Sequence, residues 1–204
     1  MENDALRPIL PKEMYDRIEE DIVNLYLDLG LTVPIRPYEI ANQLHFIVKH
    51  FSEITNKEAL NILISQNEEG KIRDGISYWN PSLSTFVIWV NDLDSSYQPR
   101  LNFTVMHEIG HIRMGHKCNS LLAETIGNYY AAYALVPSPL PDLLDCSSFI
   151  DISYTFDVSM QCAFNCANRI SNWTMCGGVT KSYEKRLTRY YRKILGQGGG
   201  KMKL

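Results

Sequence analysis

Apolar residues near the start of the chain recur with the period of a helix. Met14, Ile18, Ile22, Leu25 and Leu29 are four, four, three and four apart. That spacing puts them on one face of an amphipathic helix that starts after Pro11 and stops at Gly30. Pro37 suits a first helical turn, and a second short helix is predicted over Tyr38–His45. The pattern then changes. Phe46–Phe51, Asn61–Ser65, Lys71–Trp79 and Thr85–Val90 read as strands, with a turn at Glu68-Glu69-Gly70 and a break at Asn80-Pro81-Ser82. From Arg100 the helical period returns and runs through Lys117. A further helix is predicted over Leu121–Leu135, closed by Pro137, Pro139 and Pro141. Helical stretches follow at Ser148–Tyr154 and Ser159–Ile170, and then a basic amphipathic helix at Lys181–Leu195. From about residue 196, Gly196-Gln197-Gly198-Gly199-Gly200 releases a tail expected to be disordered. Helices, a small and mostly antiparallel sheet, and helices again predict an α+β fold. Residues 1–145 are expected to form its core and 146–204 a helical extension packed on it.

Composition narrows the functional classes. A length of 204 residues allows one compact domain with at most a small appendage. At 45% hydrophobic and 21% charged residues, neither disorder nor a fibrous repeat is in play. A net charge of −3 argues against wholesale electrostatic binding to nucleic acid, although residues 181–204 hold eight Lys/Arg against Glu184 alone. Met1–Lys12 is polar, contains Pro8 and Pro11, and has no apolar core of signal-peptide length. The uncharged run Thr125–Pro141 is broken by three prolines and is too short to cross a membrane. The five cysteines include no Cys-x-x-Cys pair and read as reduced packing residues. The expectation is a soluble cytoplasmic protein that does not engage a membrane.

The chemistry is concentrated in His107-Glu108-Ile109-Gly110-His111. Residues four apart on a helix share a face, so the two imidazoles can grip one metal ion. Zinc, one per chain, is the expected ion, since nitrogen and carboxylate ligands suit it and a catalytic site keeps one position open for water. Glu108 then lies where a general base is needed. Gly110 leaves room where another segment or the substrate comes close. The third ligand must come from downstream, where Glu124, Asp142 and Asp145 are the candidates. Glu124 sits early in the next helix and allows an antiparallel return over the motif helix, whereas Asp142 and Asp145 lie beyond the prolines and read as loop or cap residues. Asn128 shares the face of Glu124 and can fix the tautomer of a ligand imidazole. His116, five residues after His111, falls about 140° off the ligand face of a continuing helix. It reads as a helix cap or a loose substrate contact. His45 and His50 carry no pattern and read as structural.

Two segments make a family resemblance specific. RLNFTVMHEIGHIRMG, Arg100–Gly115, and AETIGNYYAAYALVP, Ala123–Pro137, resemble the two signature helices of the ImmA/IrrE family of metallo-endopeptidases. The opening helix, Pro37-Tyr38-Glu39-Ile40-Ala41 and Asn91 extend the likeness more loosely over most of the chain. The resemblance implies a zincin-like fold, zinc held by His107, His111 and Glu124, and Glu108 as the catalytic base. It also implies regulatory proteolysis of one protein partner, a helix-turn-helix repressor of a mobile element or prophage. The chain departs from the family at Ile126, where a second acid is common, and at Gly127, where Ala is usual. Gly127 costs about 1 kcal/mol of helix propensity, which is expected to leave the chemistry untouched.

The expected reaction is peptide-bond hydrolysis. It requires an oxyanion donor that the sequence does not single out; Tyr78, Tyr97, Tyr129 and Tyr133 are candidates by residue type. Thr85–Val90 reads as a sheet edge on which an extended substrate can add. Two other classes compete with a protease. Ser148–Ile170 has the outline of a DNA-binding helix-turn-helix, with Ala163, Phe164, Ala167 and Ile170 inward, but Arg169 is the only charge on its second helix. Lys185, Arg186, Arg189, Arg192 and Lys193 can supply phosphate contacts or form a solvated face around a Tyr183/Leu187/Tyr190/Ile194 stripe. A metal-holding sensor without turnover would carry the same ligands.

Overall fold

In the computed structural model, residues 9–58, 60–61, 73–93, 97–117, 120–175 and 180–197 are described. The strand predicted over Asn61–Ser65 (Asn61 apart), the turn at Glu68-Glu69-Gly70 and the tail from 198 lie outside them. The chain order is α1 (Lys12–Asp28), α2 (Pro37–Gln43), β1 (Ile47–His50), a 3-10 turn (Phe51–Glu53), β2 (Gly75–Asn80) and β3 (Thr85–Val90). The helices α3 (Gln98–Met114), α4 (Leu121–Leu135), α5 (Pro139–Leu143), α6 (Phe149–Phe156), α7 (Met160–Met175) and α8 (Ser182–Gln197) follow. This is an α+β arrangement. The short helix α5 forms where the sequence reads only prolines that close the preceding helix; Pro139 stands in its first turn, where a missing N–H costs nothing. Among the described residues no helix is long and apolar enough to cross a membrane.

The described contacts fall into two compact units, Met1–Leu10 with Arg36–Ala131, and Pro11–Ile35 with Ala132–Leu204. This division differs from one at residue 145. In the second unit the α1 stripe of Ile18, Ile22 and Leu25 is buried, as are Tyr183, Leu187 and Tyr191 of α8, and the two helices pack together. Lys181 clamps them, its Nζ lying 2.6 Å from Asp16 and 2.9 Å from Glu19. Tyr191, rather than Tyr190, completes the buried face of α8, while Lys185, Arg186, Arg189, Arg192 and Lys193 stay exposed. α6 and α7 form the helix pair seen in the sequence, with Asp157 at φ 52° making the break. Phe164 does not point inward as predicted; it is 47% exposed and meets the Phe149 ring at 5.8 Å. The buried positions, Ala163 and Cys166, are three apart, and Phe164 lies about 100° round the helix from the first of them.

The first unit carries the sheet. Its strand order is β1-β3-β2, with β1 parallel and β2 antiparallel to β3. The described sheet is therefore mixed, not mostly antiparallel, and Thr85–Val90 is its central strand, not an edge. Val87, Ile88 and Val90 are buried because β3 has a neighbour on both sides. β2 and β3 are joined by a turn in which Asn80 Oδ1 accepts from the N–H groups of Ser82 and Leu83. At the other end Asn91 closes the strand, its Nδ2 donating to the Arg73 carbonyl at 3.2 Å and its N–H to that of Asp74 at 2.8 Å. Arg100, in the first turn of α3, pairs with Asp74 just before β2. α3 packs on β2, β3 and α2 and buries Leu101, Val105, Met106 and Ile109.

Candidate metal centre

The geometry of α3 divides its residues between two tasks. The core positions fix the helix against the sheet, and His107 and His111, one turn apart, stand on a different face. α4 begins where Ser120 caps it, accepting from the Ala123 N–H through Oγ at 3.1 Å. This start places Glu124 in the first turn and Asn128 one turn later, both facing α3. His107 Nε2 lies 3.3 Å from one oxygen of Glu124 and His111 Nε2 lies 3.6 Å from the other. The two Nε2 atoms are 2.8 Å apart. Among the described residues, these three make the group of His, Cys, Asp and Glu side chains able to hold a metal ion. A tetrahedral ion with bonds of about 2.0–2.1 Å sets its donors roughly 3.3–3.4 Å apart. Both edges to Glu124 are close to that, and the His–His edge is shorter. Asp142, in α5, and Asp145, just beyond it, do not belong to the group.

The tautomers suit this use. His107 Nδ1 lies 3.1 Å from Asn128 Oδ1. An amide oxygen only accepts, so Nδ1 carries the hydrogen, and in the neutral ring Nε2 presents a lone pair. His111 Nδ1 lies 2.8 Å from His116 Nδ1. With the same tautomer at His111, two imidazole lone pairs and a carboxylate converge on one point, an arrangement that needs a cation or a proton.

Without a metal that role falls to a proton. Burial acts to lower the pKa of His107, but the Glu124 hydrogen bond and the charges of Glu108 and Glu124 outweigh it and raise the value. Burial and the His107 charge push His111 down. The hydrogen bond with His107 lowers Glu124. Below the raised pKa of His107, the metal-free centre holds an imidazolium at His107 against the Glu124 carboxylate.

Glu108 does not join the ligands. It is 6% exposed and turns toward the sheet, where Ser77 of β2 donates to its Oε2 at 2.7 Å. Burial raises its pKa, against the lowering by the His107 charge and the Ser77 bond. The positive charge of Arg73 acts on both Glu108 and Glu124. Ser77 and Arg73 escape sequence reading because only the β2–α3 packing brings that part of the chain to the motif.

Two glycines have clear tasks. Gly110 admits the Tyr130 ring of α4, to which an added Cβ would approach within 2.8 Å. At Gly127 a Cβ would lie 2.8 Å from His107 Cε1 and 3.0 Å from the Nε2 atoms of both histidines. Its role is therefore not confined to helix propensity, as the sequence suggests: its missing side chain lets α4 approach both ligand rings. Of the four tyrosines, Tyr133 is fully buried in the second unit with its hydroxyl 3.4 Å from Glu184, which removes it as an oxyanion donor. Tyr78 and Tyr97 are 43% and 54% exposed, and Tyr129 is half-buried.

Purified protein should bind about one zinc per chain, and His107→Ala or His111→Ala should abolish binding, because three protein ligands are usual for such a site. Glu124→Gln should weaken it sharply and Asp142→Asn should leave it unchanged. Zinc must displace the His107 proton, whose pKa lies above the ordinary value of about 6.5. Affinity measured by chelator competition should therefore rise with pH through that raised value and level off above it; a flat profile from pH 5 to 8 would contradict the proton-filled centre. Gly127→Ala should reduce zinc affinity, as α4 backs away and carries Glu124 from the imidazoles. An alanine variant that holds zinc as tightly as the parent would show that the helices have slack there.

No family model, curated protein or solved structure matches the chain.

Proposed function

We propose that this chain is a zinc-dependent endopeptidase with a zincin-like catalytic unit. The observation that carries this reading is the separation of roles in one small volume. Three donors converge at metal-binding distances, while a fourth ionisable group, Glu108, is buried beside them and held by Ser77 instead of by the ion. A merely structural zinc site is usually closed by four protein ligands; three protein ligands leave a position open. Bound zinc would supply Lewis acidity and acidify water toward a pKa of about 7. Glu108, made more basic by burial, takes the proton of the attacking water and returns it to the leaving amine. Ser77 leaves one carboxylate oxygen of Glu108 available for that transfer.

The substrate enters by way of β2. Among the described residues this strand pairs with β3 alone, and Ser77 fixes its register to Glu108. An extended peptide adding to its outer edge has its backbone bonded by the strand and its side chains near the exposed Tyr78 and Trp79. The resemblance to the ImmA/IrrE family makes the preferred partner a helix-turn-helix repressor of a mobile element or prophage, cut in the cytoplasm to switch its genes. A second reading, a regulator that works by binding, has one observation in its favour. Phe149, Ile150, Tyr154, Met160 and Phe164 are exposed on the α6–α7 pair. α7 exposes Gln161, Phe164, Asn165 and Asn168 and no Lys or Arg among its described side chains, which suits a protein partner better than a phosphate backbone.

Glu108→Gln separates the two readings. The substitution keeps size and hydrogen-bonding reach but removes basicity. Zinc content and folding should stay near those of the parent, and cleavage of a repressor substrate should fall at least about 100-fold, the low end of general acid–base contributions. Undiminished biological activity in the zinc-loaded variant would establish binding, not hydrolysis, as the function.

A further inference from the structure

We infer that His116 is a positioning residue of the metal centre, the hydrogen-bond acceptor that fixes the tautomer of His111 and so presents its Nε2 lone pair to the ion. The inference rests on the metal-site reading above.

An imidazole that ligates through Nε2 must carry its hydrogen on Nδ1, and that N–H needs an acceptor to hold the ring in place. The two ligand histidines meet this requirement differently. His107 uses the amide oxygen of Asn128 on α4. His111 has His116, with the two Nδ1 atoms 2.8 Å apart and the ring centroids 4.9 Å apart at 68°. One nitrogen of the pair must donate. If His116 Nδ1 donated, His111 would carry its hydrogen on Nε2, facing His107 Nε2 at 2.8 Å and the Glu124 carboxylate, and it would not be a ligand. Ligation therefore assigns the donor role to His111 and makes His116 a neutral acceptor with its own hydrogen on Nε2.

The backbone explains how a residue five positions on reaches this ring. α3 ends at Met114, and Gly115 turns left-handed at φ 72°. Its N–H bonds to the Ile112 carbonyl at 3.1 Å, and the His116 N–H bonds to the His111 carbonyl at 3.0 Å. This reversal returns the chain over the last turn, so His116 touches His111 through both backbone and ring. Nothing lies within 4 Å of a Cβ built on Gly115; glycine is required there by φ and not by space. The sequence places His116 off the ligand face because it extends the helix past the point where Gly115 stops it.

Zinc affinities of the full chain, His116→Ala and His116→Asn, measured by competition with a chromophoric chelator, test the role. Asn carries an oxygen where His carries Nδ1 and so keeps the acceptor. The alanine variant should lose about 10–100-fold in affinity, the usual effect of removing such a partner, and the asparagine variant should recover most of that loss. Thermal unfolding of the zinc-free forms checks that each is folded. If the alanine variant is not, Gly115→Ala, which displaces His116 through the backbone, takes its place with the same expected loss. Parental affinity in the variant that lacks the acceptor overturns the inference, and so does an equal loss in the alanine and asparagine variants, which would reduce His116 to packing. A parent chain that takes up no zinc overturns the metal reading itself and is distinguished from both by that first titration.

Discussion

Three electron-rich groups pointing at one another are unstable unless something positive lies between them, and the first unit is organised around that constraint. Two imidazole nitrogens sit 2.8 Å apart with the oxygens of one carboxylate facing both. Each lone pair is aimed from behind by a second residue, Asn128 for His107 and His116 for His111. A proton on His107 can satisfy the cluster in part, since it bridges to Glu124 but leaves His111 neutral and poorly solvated. A divalent ion satisfies all three at once. Because a metal ion and that proton would compete for the same electrons, metal uptake at this group would be linked to pH.

The packing of α3 and α4 follows from the same need. Glu124 can meet both rings only if α4 crosses α3 at close range. The crossing is close where side chains are absent: Gly110 gives way to Tyr130, and Gly127 lies against the imidazoles themselves. Gly127 therefore trades about 1 kcal/mol of helix propensity for proximity. The neighbouring Ile126 and the following Tyr130 and Ala131 are buried and hold the helix in register. On the other side α3 rests on β2 and β3, and Asn91 and the Arg100–Asp74 pair tie the start of β2 to both.

What the sequence reveals is what is local. The His-Glu-x-x-His spacing, the bounds of β3 and α4 and the shared face of Glu124 and Asn128 are all set by residues within a few turns of one another, so periodicity exposes them; that Asn128 meets His107 and not His111 is not among them. The strand order is not local, and β3 reads as an edge because its alternation says nothing of which strands flank it. Ser77 and Gly127 gain their meaning from packing between elements. His116 is different. It is near in sequence, but its place depends on one residue at positive φ, and a helical wheel continued past Gly115 sends it to the wrong side. The division of the chain is hidden for a related reason. The α1 stripe announces burial but not its partner, which begins at Ser182.

Glu108 lies beside the three converging donors without joining them. It is one residue from His107 and therefore about 100° round the helix, aimed at the sheet and not at the ligand point. Burial makes its charged form costly and raises its proton affinity, while the His107 charge and the Ser77 hydroxyl favour the charged form. Burial and these two partners pull in opposite directions, and burial prevails. Had the strand residue been a cation in place of serine, the carboxylate would be paired and its basicity lost. Had it been apolar, the hydrogen bond that steadies the side chain against the sheet would be lost. The hydroxyl of one residue on β2 thus helps to hold Glu108 toward the sheet and off the point where His107, His111 and Glu124 converge.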